Sequence, residues 1–311
     1  MIYTLTLNPS LDRELTVPAI TFDEVLRATR LRIDYGGKGL NVSRMLAVLG
    51  AESIAMGLAG GMTGECLLAG LAAAGITTDF VSIGGETRTN VSIVTAGYDR
   101  RIKVNETGPS ITADELSALR QRVRERAEPG DLWVMSGSLP PGIPPTVYAD
   151  LIRDMQDAGS RVILDTSGDA LHHGCAARPF LVKPNAAEAG ELTGRRVTTV
   201  TEAVAAARAV KGVSHVVVSM GKAGAVLVHD GCAWIVSAPA VQERNPIGAG
   251  DALVAGLAWG LHEARSPLDS LQWGVACGAA TASCPATEVG SRDAVVQLLD
   301  EVVVRAVNES A

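Results

Sequence analysis

Aromatic residues are scarce in this chain: three Phe, four Trp and four Tyr make up 4% of its 311 residues. A core built from it must be packed with aliphatic and small side chains. The five cysteines, at positions 66, 175, 232, 277 and 284, are scattered, with no Cys-x-x-Cys pair. A structural zinc site and a disulfide framework are therefore not expected, and free thiols in a reducing compartment are. No Lys/Arg cluster appears and the net charge is −7, which argues against a nucleic-acid partner. A small anionic substrate stays compatible, because a few local cations outweigh a mild net charge. No apolar stretch approaches the roughly 20 residues that a membrane span requires. The opening Met1-Ile2-Tyr3-Thr4 lacks the basic lead of a signal peptide. A cytoplasmic protein with no membrane partner is expected. The five histidines show no metal-ligand spacing, and His172-His173 reads as a loop.

Several nucleotide-binding signatures are missing too. The chain has no GxxxxGK followed by Ser or Thr, no GxGxxG after its first strand, and no HRD or DFG run. A P-loop nucleotidase, a dinucleotide oxidoreductase and a protein kinase lose their usual marks.

What the chain does have is 47% hydrophobic residues, 33 glycines and a regular alternation of strand and helix patterns. Residues 2–7 read as a strand, and 11–17 and 28–34 alternate polar and apolar side chains in the manner of a half-exposed sheet. A helix over 41–49 ends at Gly50, followed by a strand over 54–59 and a helix over 64–74. Strands 89–96 and 101–105 turn around Gly97-Tyr98-Asp99-Arg100. Helix 112–127 opens with Thr112 and Glu115, a capping box. Strands at 132–136, 161–165, 180–183 and 213–219 then alternate with helices at 145–158, 186–193 and 200–211. A hairpin over 223–229 and 233–237 precedes helices 251–263, 267–282 and 293–308. This is the pattern of an α/β fold with a mainly parallel sheet covered on both faces. The expectation is one domain over residues 1–311. Segments of about 11–34 and 87–107 would form a small inserted sheet, a lid over the strand ends where ligands bind.

Chemistry concentrates at strand-to-helix junctions. The run Arg244-Asn245-Pro246-Ile247-Gly248-Ala249-Gly250-Asp251 leads into an apolar helix. Unpaired N–H groups at a helix start make an anion site, and a carboxylate in the same turn can accept a proton. A Gly-rich turn with an Asp cap is the plainer reading. Gly36-Gly37-Lys38-Gly39-Leu40-Asn41 offers a close backbone approach with a charge and an amide for an oxygen-rich ligand. Ser136-Gly137-Ser138 and Ser219-Met220-Gly221-Lys222-Ala223-Gly224 are either structural turns or phosphate-wrapping loops. Asn185 and Glu188 in Lys183-Pro184-Asn185-Ala186-Ala187-Glu188 suit Mg²⁺ through its bound waters, and equally suit a helix cap. Arg27, Arg88 and Lys103 fall in or beside the small-sheet segments, as surface cations or as holders of a substrate phosphate.

Three ordered motifs carry a resemblance over nearly the whole chain. They are Gly36-Gly37-Lys38-Gly39-Leu40-Asn41-Val42, Lys183-Pro184-Asn185 with Glu188, and Gly248-Ala249-Gly250-Asp251. With them the chain resembles the PfkB branch of the ribokinase-like carbohydrate kinases, nearest to the group acting on hexose phosphates. The features of that group are Thr6-Leu7-Asn8-Pro9-Ser10-Leu11-Asp12, Glu86-Thr87-Arg88, Asn105-Glu106 and Ser136–Gly142. The resemblance implies a three-layer α/β/α fold and ATP-dependent phosphorylation of a ketohexose phosphate. Fructose 1-phosphate comes first, with tagatose 6-phosphate or fructose 6-phosphate as the alternatives. It makes Asp251 the catalytic base, with Gly248, Ala249 and Gly250 cradling the transferred phosphate. Asp12, Gly37, Lys38 and Asn41 would contact the sugar, and Arg27, Arg88, Lys103 and Ser138 its phosphate. Lys183, Asn185, Ser219, Gly221, Gly224, Ala276, Gly278 and Ser283 would bind ATP. Asn185 and Glu188 would organise Mg²⁺ through water. A homodimer joined through the lid is also implied. Two departures stand out: Pro246 where the family has Thr, and Leu26 where close relatives often have Asn. Two rival classes are a sugar-phosphate-binding regulator without chemistry and an NAD-dependent oxidoreductase.

Overall fold

A computed structural model of the chain describes residues 1–97, 100–285 and 288–307. Its first part runs β1 (Ile2–Thr6), β2 (Ser10–Val17), β3 (Arg30–Gly36), α1 (Lys38–Leu49), β4 (Ser53–Ala59), α2 (Gly61–Ala73), β5 (Thr77–Ser82), β6 (Arg88–Thr95) and β7 (Arg101–Asn105). Next come α3 (Ala113–Arg126), β8 (Leu132–Ser136), α4 (Val147–Asp157), β9 (Arg161–Asp165), α5 (Gly168–Ala176), β10 (Leu181–Val182), α6 (Ala186–Thr193) and α7 (Val200–Ala209). The last part is β11 (His215–Ser219), β12 (Ala225–His229), β13 (Cys232–Ser237), α8 (Ala249–His262), α9 (Pro267–Ala282), α10 (Arg292–Leu299) and β14 (Val303–Ala306).

Ten strands form one sheet in the order β14-β13-β12-β11-β10-β9-β8-β1-β4-β5. Neighbours from β11 to β5 are parallel, and β12, β13 and β14 add antiparallel pairs at one edge. The central strands β1, β8, β9, β10 and β11 are buried on both faces, which is why they read as largely apolar runs. Alternate residues divide the core in two. Tyr3, Leu5, Trp133 and Met135 pack with α3, α4, α5 and α7, while Ile2, Leu132 and Val134 pack with α1, α8, α9 and α10. Tyr3 and Trp133 stack at 4.2 Å, a cross-strand pair that uses two of the few aromatic rings.

Close packing of α8 on α9 depends on absent side chains. A Cβ at Gly256 would lie 2.7 Å from the Gly274 Cα, and one at Gly260 would lie 2.6 Å from Ser270 Oγ. The two helices therefore press together, and the start of α8 is held against the end of the main sheet.

The second sheet has four strands in the order β3-β2-β6-β7. Its period-two alternation separates two faces. One carries Asp12, Asn90, Ser92 and Lys103, aligned as Asp12 opposite Asn90 and Ser92 opposite Lys103. The other leaves Leu31, Ile33 and Val104 exposed by 47%, 40% and 60%.

Three elements differ from the sequence expectation. β5 was not anticipated, because its Thr77-Thr78-Asp79 start is polar; Asp79 accepts from Arg126 Nε of α3 at 2.7 Å, so that polarity is a packing feature. His172 and His173 sit on α5 and not in a loop; the helix buries Ala170, Leu171, Gly174 and Cys175 on one side. The helix expected over 293–308 ends at Leu299, and the β-branched pair Val303-Val304 enters β14 beside β13. The expected turn residues Tyr98 and Asp99, and Asn308 at the end of that helix, lie outside the described residues. Among the described residues, no helix is long and apolar enough to cross a membrane.

Candidate active site

The start of α8 is a tight reversal. Gly248 caps the helix at φ 82, a left-handed conformation that glycine adopts without a Cβ penalty. The Asn245 side chain accepts from Ile247 N–H at 3.1 Å, and Pro246 stiffens the same turn. The Ala249 N–H turns back to Pro246 O at 3.3 Å, and the first full helical bond runs from Ala252 N–H to Gly248 O at 2.8 Å. Among the described residues the Gly250 and Asp251 N–H groups have no acceptor, so they are available to an anion.

Asp251 follows at once, with 7% of its surface exposed. Asn41 Nδ2, from α1, donates to Asp251 Oδ2 at 2.8 Å. Burial pushes the Asp251 carboxyl up to about 6 and the nearby Asp165 charge adds to that. The Asn41 hydrogen bond and the Lys38 and Lys183 ammonium groups pull the other way. A carboxylate with its pKa near 6 and, among the described residues, one oxygen without a protein donor is suited to accept a proton.

Asp165, at the end of β9, is the hub behind it. Its Oδ1 lies 3.3 Å from both Lys38 Nζ and Lys183 Nζ, and its side chain is 1% exposed. Lys183 is buried as well, while Lys38 is 39% exposed and reaches toward the open side. Burial opposes the Lys38 charge, but Asp165, Asp251 and Glu188 together outweigh it and raise its pKa. Sequence reasoning missed Asp165. The available signal was a carboxylate closing the apolar Val162-Ile163-Leu164 run at the sheet's ligand-binding edge.

Two cavities adjoin at Pro246, on the strap just ahead of α8. A smaller one of about 370 Å³ is bordered by Asp12, Asn90 and Lys103 of the second sheet and by Arg244 and Pro246. Asp12 is held there by Ser10 Oγ at 2.8 Å and Asn90 Nδ2 at 2.7 Å. The other, of about 560 Å³, is bordered by Asn185, Ser219, Gly221, Gly224, Ala249, Gly250 and Gly278. Pro246 borders both, so the strap ahead of α8 divides them. Val275, Gly278, Ala279 and Ala282 present one face of α9 to the larger cavity.

Not every nominated residue arrives where expected. Ala276 faces the core with no exposed surface, one position after the lining residue Val275 and three before Ala279. Ser283 caps α9 and donates to Ala280 O at 2.7 Å. Arg88 spends two nitrogens on the carbonyls of Glu106 and Asn8, at 3.1 and 3.0 Å, and borders a separate shallow groove. Arg27 is exposed between β2 and β3 and borders neither cavity. Ser138 is exposed just after β8 and follows Gly137, whose carbonyl accepts from Tyr148 and Thr166. Gly37 caps α1 ahead of Lys38. Asn185 and Glu188 form a reciprocal capping box at 2.8 and 2.9 Å, which leaves the second Glu188 carboxylate oxygen free. Among the described residues, no cluster of three His, Cys, Asp or Glu side chains is arranged to hold a metal. The donor set here fits a hydrated cation brought with phosphate groups rather than a protein cage.

A buried carboxylate, an open helix start and two adjoining cavities define a group-transfer site between two small ligands. The chain belongs to the pfkB family of carbohydrate kinases, whose pattern matches residues 6–294. It is similar to a 1-phosphofructokinase of Bacillus subtilis, 36% identical over 98% of this chain and 99% of that one. It is 41% identical to a 1-phosphofructokinase of Rhodobacter capsulatus over 86% of this chain and 85% of the relative. Among solved structures, Escherichia coli phosphofructokinase-2 in its tetrameric inhibited form superposes with a TM-score of 0.90 at 34% identity, covering 96% of this chain and 98% of that one. The expected ribokinase-like α/β/α fold is thus found. The expected homodimer is overturned by the same structure, whose assembly is a tetramer.

Proposed function

We propose that the protein is a 1-phosphofructokinase, which transfers the γ-phosphoryl group of ATP to the C6 hydroxyl of fructose 1-phosphate. The observation that carries this reading is Asp251, buried in the first turn of α8 directly after Gly250, which borders the larger cavity. Kinases similar to this chain over most of its length bear that activity in their names. ATP occupies the larger cavity, its base along Val275, Gly278 and Ala279 and its phosphates toward Ser219, Gly221, Gly224 and Gly250. Fructose 1-phosphate occupies the smaller one, its hydroxyls toward Asp12, Lys38 and Asn41 and its phosphate toward Lys103. Cytosolic residence belongs to the same reading, since ATP is supplied there.

The sugar hydroxyl attacks the γ-phosphorus in line, the bond to the β-phosphate oxygen breaks, and ADP leaves. The free oxygen of Asp251 takes the hydroxyl proton while Asn41 fixes the other. A loose phosphoryl transition state needs alignment and charge stabilisation above all. The Gly250 and Asp251 N–H groups and Lys38 supply that on the protein side. Mg²⁺ supplies charge neutralisation of the phosphates when bound; Asn185 and Glu188 would hold its water shell. The four-stranded sheet acts as a lid, which excludes water from the transferred group.

Initial rates of ADP release on fructose 1-phosphate, tagatose 6-phosphate and fructose 6-phosphate, with fructose and ribose as controls, test the assignment. The highest kcat/KM is expected on fructose 1-phosphate. A preference for another ketose phosphate replaces the substrate, and turnover of unphosphorylated sugars alone overturns the reading.

A further inference from the structure

The turn that follows β8 is held by more bonds than a reversal of the chain needs. Gly137 has φ 107, a positive value that side chains larger than glycine rarely adopt. Its N–H donates to the Asp165 carbonyl at 3.0 Å, which ties the turn to the end of β9. Its own carbonyl accepts from two side-chain hydroxyls, Tyr148 Oη at 3.1 Å and Thr166 Oγ1 at 2.9 Å. Tyr148 stands at the start of α4 with no exposed surface, and Thr166 follows β9 with 1% exposed. Burial and the nearby Asp165 charge push the Tyr148 phenol up, so it keeps its proton and donates. A buried hydroxyl is costly unless it is bonded, and Phe or Val would fill the same space without that cost. Among the described residues each hydroxyl makes this hydrogen bond and no other, so both serve one carbonyl.

What this clamp fixes lies on its other side. In a trans peptide the carbonyl and the following N–H point in opposite directions, and no peptide bond among the described residues is cis. With the Gly137 carbonyl drawn into the body, the Ser138 N–H turns outward. Ser138 is exposed, and among the described residues its N–H has no acceptor. Lys38 adjoins the same turn, since a Cβ at Gly137 would lie 3.9 Å from the Lys38 Cβ. Further on the chain is fixed again: Ile111 N–H donates to Pro141 O at 2.9 Å, and Pro140 restricts Leu139 to extended backbone. Ser138 and Leu139 thus span two fixed points, and Tyr148 and Thr166 set the direction of the first peptide.

We propose that Tyr148 and Thr166 are positioning residues for phosphoryl transfer, holding the Gly137–Ser138 peptide with its N–H turned toward the acceptor beside Lys38. This rests on the transfer to a sugar read above. Both side chains lie buried beneath the turn and act through the one carbonyl they share. A backbone donor whose direction is set in advance needs no reordering when the acceptor arrives, unlike a mobile side chain. The clamp also joins the acceptor side to the hub, because the Gly137 N–H and the Lys38 ammonium both meet Asp165. Gly137, Ser138, Tyr148 and Thr166 do not border the larger cavity, so their effect should fall on the acceptor and spare the nucleotide.

The test compares wild type, Tyr148→Phe, Thr166→Val, Thr166→Ser and the double variant Tyr148→Phe/Thr166→Val on fructose 1-phosphate and ATP, with melting temperature as a check on folding. Each single loss leaves one hydroxyl on the carbonyl, so KM for fructose 1-phosphate should rise only about two- to threefold. The double variant frees the peptide, and a rise of about tenfold or more is expected, beyond the product of the single effects. KM for ATP should stay within about twofold throughout, and Thr166→Ser should recover most of what Thr166→Val loses. An unchanged acceptor KM in the double variant, or an equal rise for ATP, overturns the positioning role while the proposed function stands. Should the double variant not fold, the single ones decide: no change in Thr166→Val, or no recovery in Thr166→Ser, overturns it. If the wild type turns over no ketose phosphate, the function fails by itself. Crystal structures of wild type and the variants then decide on the clamp: a turned Gly137–Ser138 peptide supports it, and an unmoved one overturns it.

Discussion

Asp251 stands on a balance between burial and proximity to cations, and its behaviour with pH follows from it. Its carboxyl titrates near 6 in the folded protein, above the usual 3.8. Activity should therefore show an acid limb near pH 6 in kcat/KM, because only the carboxylate accepts the sugar proton. An acid with a raised folded pKa binds more protons folded than unfolded, so its contribution to stability falls as pH climbs from 3.8 to about 6. Asp251→Asn removes that cost. The variant should melt above the wild type at pH 8, by at most about 3 kcal/mol in free energy, and the two should converge below pH 4. Its kcat should drop roughly 10²–10⁴-fold. Full activity, or a stability gain that persists at pH 3, contradicts the assignment. Removing the Asp165 charge should destabilise the fold instead. Asp165→Asn strands the buried Lys183 without its counter-charge, and a loss of about 3–5 kcal/mol is expected by denaturant titration. An unchanged midpoint would mean that the lysines find other partners. Asp251 was legible in the sequence, since the glycines, the acid and the apolar helix form one local signal. Asp165 was not, because its partners are 127 and 18 positions away and only the fold brings them together.

At the scale of elements, the long strands and capped helices were readable because each carries a local signature. The capping box Thr112–Glu115 and the apolar run of β11 are examples. The misses share a cause. α5 lacks a side-chain cap, β5 opens with polar residues that serve a neighbouring helix, and β14 is set by its pairing with β13. In each case tertiary contact overrides local preference. The start of α8 allows structure and chemistry to be separated. A Cβ at Gly250 meets nothing within 4 Å, whereas Gly248 holds φ 82. Gly250→Ala should leave stability unchanged or raise it by up to about 1 kcal/mol, as Ala is the better helix former. The methyl group would stand beside the open N–H groups, so kcat should fall about tenfold or more. Wild-type rates in Gly250→Ala would remove this helix start from the phosphate path. Gly248→Ala should instead lose about 1–2 kcal/mol from the left-handed backbone alone.

Over the whole molecule, the two sheets divide the labour: the ten-stranded sheet carries Asp165, Lys183 and Ser219 at or just past its strand ends, and the four-stranded sheet brings Asp12, Asn90 and Lys103 to a cavity shared with the strap ahead of α8. The second sheet was legible from the mixed polarity of its strands, but its parallel β2–β6 pairing was not, since β6 lies far along the chain from β2. If the sheet closes as a lid, the sugar phosphate should close it, because Asp12 and Lys103 border the acceptor cavity and not the nucleotide cavity. Amide hydrogen exchange tests this directly. Fructose 1-phosphate should slow exchange in Ser10–Val17 and Arg88–Thr95, while an unreactive ATP analogue alone should protect the loops at Gly221 and Gly248 and leave those strands nearly as before. The expected order follows from ligand linkage, in which protection appears only where the ligand binds the closed form better than the open one. Equal protection of both regions by the nucleotide alone would make the second sheet a fixed wall. The exclusion of water would then have to come from the sugar filling the cavity.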